Sequence, residues 1–109
     1  MSIPTELPNV TAVTKGNIYF DGGVVSHALI LADGSRKTLG IIRAGAYQFD
    51  TDAPERMEIT EGTCRYRLVG TEKWSTVSAG DSFDIPGQSA FEITVEQGFA
   101  QYICSFLKA

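Results

Sequence analysis

From residue 17 onward, apolar side chains recur at every second position rather than every third or fourth. Phe91, Ile93 and Val95 alternate with Glu92, Thr94 and Glu96, the period of a strand with one buried face. The same alternation runs through Tyr47-Phe49-Thr51, Met57-Ile59, Cys64-Tyr66-Leu68 and Tyr102-Cys104-Phe106. Turn signals separate these runs at Asp21-Gly22-Gly23, Ala32-Asp33-Gly34-Ser35, Gly70-Thr71, Ala79-Gly80-Asp81 and Pro86-Gly87. Asp33-Gly34 between two apolar runs is a hairpin signal. Turns spaced by roughly 8 to 12 residues imply an all-β sandwich or barrel. No segment offers three turns of amphipathic helix, so little or no helix is expected.

The chain has 109 residues, enough for one compact domain and not for two cores. Residues 1–16 show no clean periodicity and are expected to form an extended arm. Residues 17–109 are expected to form the barrel domain. The formal charge of −4 makes a nucleic-acid duplex a poor partner. Small anions remain open, because screening lets a local arginine outweigh the net sign. No apolar run approaches the ~20 residues of a membrane span. The N-terminus has neither the basic nor the apolar region of a signal peptide, so no membrane partner and a cytoplasmic location are expected. Cys64 and Cys104 lack CxxC spacing and are expected as buried free thiols.

Two glycine-punctuated blocks narrow the fold. Gly45 to Gly62 reads G-A-Y-Q-F-D-T-D-A-P-E-R-M-E-I-T-E-G, and the stretch from Gly80 reads G-D-S-F-D-I-P-G-Q-S-A-F. Their layout resembles the two cupin motifs, which implies a single cupin-type, jelly-roll-like β barrel and a homodimer. Metal-binding cupins place histidines in these blocks. Here Thr51 and Ala53 stand near the first pair, and Ser89 or Phe91 near the third. The lone histidine, His27, lies outside both blocks and is expected as a satisfied strand residue. Neither a metal nor another cofactor is expected.

Four stretches carry a narrower resemblance. They are N-I-Y-F-D-G-G-V-V-S-H at 17–27, R-K-T-L-G at 36–40, G-A-Y-Q-F-D-T-D-A-P-E-R-M-E at 45–58 and W-S-T-V-S-A-G-D-S-F-D-I-P-G at 74–87. Together with Y-I-C-S-F-L at 102–107, they resemble the pyrimidine/purine nucleoside phosphorylase family, over residues 17–107. Gln88 stands where a histidine is common in that pattern. The resemblance implies phosphorolysis of purine and pyrimidine nucleosides to free base and ribose 1-phosphate, with nucleosides and inorganic phosphate as partners. It brings no agreed catalytic residue with it, so roles are assigned by chemistry.

Phosphorolysis displaces a base from the anomeric carbon through an oxocarbenium-like state. It needs a phosphate clamp, a polar grip on the ribose, an apolar shelf for the base and a proton donor. Arg36 is the candidate clamp, because a guanidinium binds phosphate as a bidentate fork; the alternative is a hairpin surface charge. Arg43, Arg65 and Arg67 fit solvated strand faces better. Strand parity puts Glu55 on the face of Met57 and Ile59, and Thr51 on the face of Tyr47 and Phe49. A hydroxyl and a carboxylate are thus expected at one barrel mouth. Glu55 suits a ribose grip or a general acid, against a turn carboxylate or an ion pair. Thr51 suits a hydrogen-bond donor, against a plain strand-end threonine. Tyr47, Phe49, Met57, Phe91 and Tyr102 are candidates for the pocket floor, with Gln88 and Ser89 at its rim. Stacking would tolerate many bases, since every base has a π-face. Two other functions stay open: a metal-free cupin acting on another sugar or sugar nucleotide, and a non-catalytic ligand-binding cupin.

Overall fold

The computed structural model describes residues 3–107, so residues 1 and 2 of the expected arm and 108 and 109 of the expected barrel lie outside it. Nine strands account for the fold: β1 (Thr11–Ala12), β2 (Asn17–Tyr19), β3 (Val24–Ile30), β4 (Arg36–Thr51), β5 (Glu55–Glu61), β6 (Thr63–Leu68), β7 (Ser75–Ser78), β8 (Ser82–Ile85) and β9 (Ser89–Phe106). A three-residue 3-10 turn, Phe20–Gly22, joins β2 to β3, and no α-helix occurs among the described residues. The all-β expectation holds.

All pairings are antiparallel, and the hydrogen-bonded path runs β1-β3-β4-β9-β5-β8, with β2 added on β3 and β6 on β9. The ladder does not close on itself. It wraps into two facing layers, because β4 and β9 are long enough to belong to both. The first half of β4 and the second half of β9 sit with β3, β5 and β8; their other halves sit with β6 and β7. Between the halves the register shifts from Arg43↔Phe99 to Gly45↔Val95. That irregularity leaves more residues on one strand than on the other, the signature of a bulge, and bends the pair. Glycines at the bend, Gly45 and Gly98, take positive φ.

The core fills the space between the layers. Val24, Ile42, Ile59, Ile85, Ile93 and Val95 are at most 1% exposed, and each such side chain contributes about 1.5–3 kcal/mol by leaving water. The expected hairpin at Asp33-Gly34 is present, with Gly34 N–H donating to Leu31 O at 2.9 Å and Asp33 Oδ1 accepting from Ser35 N–H at 2.9 Å. The N-terminal segment lies over the outer face of β3 and β4, where Ile3, Pro4, Leu7 and Val10 line a groove of about 770 Å³ with Leu29, Leu39 and Ile41. Its end joins the sheet as β1, Thr11 opposite Ile30.

The turn Phe20–Gly22 is a constrained piece of backbone. Phe20 and Asp21 adopt left-handed φ of 53° and 54°, followed by Gly22 at 92°. Left-handed conformations cost roughly 1–2 kcal/mol for a residue with a Cβ. The turn is held by Gly23 N–H donating to Phe20 O at 3.0 Å and by Arg43 N–H donating to Gly23 O at 2.8 Å.

Candidate active site

A cavity of about 270 Å³ opens between the layers, close in size to a small-metabolite site. One wall is polar and comes from the β3-β4-β9-β5 layer: Ser26, Thr38, Tyr102, Cys104 and Glu55. The other is mainly aromatic, with Phe49 and Phe91 from the second layer, Tyr19 at the side and Phe106 at the mouth, and it also includes Asp50. Met57, Ile42 and Ile93 close the floor.

Register explains the polar wall. Gly40, Tyr102 and Ile59 lie side by side across β4, β9 and β5, and Thr38, Cys104 and Met57 form the next row. One row further Glu55 stands opposite Phe106, and Arg36 lies just before Lys37, which pairs with Ser105. Two strand spacings separate Arg36 from Glu55, about 10 Å. Gly40 makes the row above possible: a Cβ there would lie 2.3 Å from the Tyr102 ring, so only a glycine admits the phenol flat against β4.

Hydrogen bonds tie the wall at its two ends. Asn17 Nδ2 donates to Ser26 Oγ at 3.3 Å. The Tyr102 hydroxyl interacts with Ser26 and Thr38, and burial pushes its pKa up to about 12. Cys104 interacts with Thr38 and donates from Sγ to Glu55 Oε1 at 3.5 Å. Burial, then the neighbouring Glu55, raises the Cys104 thiol far above its ordinary value. It therefore stays a protonated donor at neutral pH. Burial also raises the Glu55 carboxyl above its ordinary value, against the smaller opposing effect of the Cys104 thiol. Burial thus favours the neutral form of this carboxyl beside the cavity.

Of the residues singled out in the sequence, the cavity brings together Glu55, Phe49, Met57, Phe91 and Tyr102. Arg36 sits one row beyond the lining, exposed, on the strand face of Thr38. Its side chain has no ion pair or hydrogen bond among the described residues. Arg65 and Arg67, by contrast, are paired with Glu96 and Glu92 and lie over the Trp74 ring.

Thr51 meets Ser89, Gln88 meets Asp52, and none of the three lines the cavity with Glu55. Thr51 is buried as its parity requires, and its hydroxyl donates to Pro86 O at 2.7 Å while accepting from Ser89 N–H at 3.1 Å. Gln88 Nε2 donates to Asp52 Oδ1 at 2.7 Å. A buried hydroxyl takes the nearest backbone partner, and the returning chain at Pro86 supplies it. These three fasten the β4–β9 end. Tyr47 packs outside the cavity, donating from its hydroxyl to Arg43 O at 2.9 Å. His27 is exposed on the outer face, its Nδ1–H donating to Val13 O at 3.1 Å. Both cysteines are free and buried. Among the described residues, no group of three or more His, Cys, Asp and Glu side chains is arranged to hold a metal ion.

Sequence reasoning passed over Ser26, Thr38, Cys104, Phe106 and Tyr19. Parity with Tyr102 points to Cys104 and Phe106, and parity with Arg36 points to Thr38. Ser26 and Tyr19 reach the cavity only because β2 and β3 fold beside β4, which no local pattern encodes.

An open two-layered β sheet around a central cavity, with the site on the inner face of the long strands, defines a cupin-type protein. Solved structures share the architecture. A protein of unknown function from Acinetobacter sp. ADP1 matches with a TM-score of 0.90 at 36% identity, covering 94% of this chain and 98% of that one. A mutant of Bacillus subtilis oxalate decarboxylase matches at a TM-score of 0.74 over 98% of this chain and 31% of that one, with 14% identity, a likeness of fold alone. The family profile for pyrimidine/purine nucleoside phosphorylase matches residues 14–106. A protein of that name from Paraburkholderia xenovorans (strain LB400) is 49% identical over 107 residues, covering 98% of this chain and all of the relative. The chain belongs to the pyrimidine/purine nucleoside phosphorylase family.

Proposed function

We propose that the protein is a pentosyltransferase that cleaves purine and pyrimidine nucleosides with inorganic phosphate, giving free base and ribose 1-phosphate. The observation that carries this reading is the half-buried Glu55 carboxyl, raised by burial, on the polar wall of a cavity that also has an aromatic wall, in a chain whose relatives bear that name. A phosphate oxygen bonds to the anomeric carbon as the bond from that carbon to the base nitrogen breaks. The electron pair of that bond leaves with the base, and Glu55 supplies the proton that neutralises it. Arg36 holds the phosphate at the mouth. Tyr102, Thr38 and Ser26 hold the ribose hydroxyls, and the aromatic wall takes the base. Aromatic faces without edge-specific partners accept purines and pyrimidines alike.

The reaction is proposed to run without a metal, since Thr51 and Ala53 stand where the cupin layout puts ligating histidines. Purified protein incubated with adenosine or uridine in EDTA should release base and ribose 1-phosphate only when phosphate is added. Release of free ribose without phosphate would mean a hydrolase. No turnover at all would mean a binding protein.

A cytoplasmic location and a homodimer belong to the same proposal. Leu39, Ile41 and Phe99 stand 39–56% exposed on the outer face of β4 and β9, beside the N-terminal segment, and a second copy would cover them. Light scattering should give twice the chain mass; a monomer at all concentrations would remove the dimer.

A further inference from the structure

Successive side chains of a strand point to opposite faces, yet Tyr19 and Phe20 both reach the same ring. Tyr19 meets Phe49 edge-on with centroids 5.9 Å apart, and Phe20 meets it edge-on at 5.4 Å. The left-handed backbone at Phe20 and Asp21 is what turns the second ring back to the side of the first. The turn is also wedged from behind. A Cβ on Gly23 would lie 2.6 Å from the Tyr47 ring, Phe20 packs on that ring at 5.1 Å, and the Tyr47 hydroxyl is tied to Arg43 O. The surrounding structure thus holds a conformation the chain would not adopt alone.

Burial does not account for this arrangement, because Tyr19 remains 45% and Phe20 51% exposed. Two half-exposed rings are held at the cavity side, Tyr19 in its lining, and Phe106 stands 43% exposed at the mouth. Most of the cavity's hydrogen-bonding groups stand on the opposite wall; on this side the lining is the rings of Tyr19, Phe49 and Phe91, with Asp50 next to Phe49 in the chain. A flat, weakly polar ring is what such a surface would take.

We propose that the Tyr19–Phe20 corner, with Phe49, is the nucleobase subsite, and that stacking on Tyr19 sets how widely bases are accepted. This rests on the phosphorylase reading for its substrate, but base binding is measurable without turnover. The probes are adenine and uracil, titrated into the full chain and followed by calorimetry and by the tyrosine ring resonances. Tyr19→Ala should weaken adenine binding roughly 5- to 150-fold, the range for losing one stacked ring. Uracil, with a smaller face, should lose less. Tyr19→Phe should bind as the parent does. The KM for adenosine should rise with the adenine Kd while the KM for phosphate and the melting temperature stay put.

If Tyr19→Ala does not fold, Tyr19→Leu keeps an apolar contact with Phe49 without the π-face and should show the same loss. Unchanged adenine affinity in either folded variant overturns the subsite, whatever the parent's activity. A parent that binds adenine through Tyr19 but never cleaves adenosine would instead retain the subsite and refute the phosphorylase. A parent that cleaves adenosine with a KM indifferent to Tyr19 would retain the phosphorylase and refute the subsite.

Discussion

Glu55→Gln is expected to lower kcat by roughly 10²- to 10⁴-fold, the usual contribution of a general acid. The loss should be greatest for bases that leave poorly, since those need the proton most. If Glu55 only grips the ribose, the loss will be the same for every base, and the acid role falls. The pH profile separates the two further. Burial favours the neutral carboxyl of Glu55, so the competent acid is lost as pH rises through its raised folded-state pKa, and that limb should vanish in Glu55→Gln. Stability runs in the same direction. A carboxyl raised by folding contributes stability that is complete below its ordinary value near 4.5 and is lost as pH climbs through the raised one. Glu55→Gln carries no such charge. Its melting temperature at pH 8 should therefore equal or exceed the parent's, whereas a purely structural carboxylate would leave the variant less stable.

Arg36→Ala is expected to raise the apparent KM for phosphate about 10- to 150-fold, because a lost charged hydrogen bond is worth ~1.5–3 kcal/mol. The KM for nucleoside should move much less. Arg36 lies at the exposed start of β4 without an ion-pair partner among the described residues, so its removal should leave the fold intact. Arg36→Lys should recover the phosphate affinity only in part, since an ammonium restores the charge without the planar fork. A folded Arg36→Ala protein with unchanged phosphate dependence would place the clamp elsewhere.

Much of this was open to reading from the chain. Alternation at 47–51, 57–59, 64–68, 91–95 and 102–106 falls within β4, β5, β6 and β9, and parity alone put Glu55, Met57 and Tyr102 on inward faces. What local pattern hid was continuity. Gly45, the first residue of the first glycine-punctuated block, opens no new strand but lies inside β4 at the bend, because a strand glycine marks a bulge as readily as an end. Thr51 was correctly turned inward, but its hydroxyl is taken by the carbonyl of Pro86, 35 residues away in sequence, a partner set only by the closed fold. Cys104, expected as a buried free thiol, is one, and it also donates to the Glu55 carboxyl. Its chemistry depends on β5 lying beside β9, which the sequence does not announce.

The bend in β4 and β9 governs how the chain can change in length. Inward residues are even-numbered before the bend in β4, as with Thr38, Gly40 and Ile42, and odd-numbered after it, as with Phe49 and Thr51. In β9 the order is reversed, from Phe91, Ile93 and Val95 to Ala100, Tyr102 and Cys104. The switch in each strand is what lets the two walls look at one another. Removing one residue at either bend would restore a single parity and turn one wall's side chains out to solvent. Surface loops such as 31–35 tolerate gaps and additions; these two strands hold the cavity only at their present count of residues.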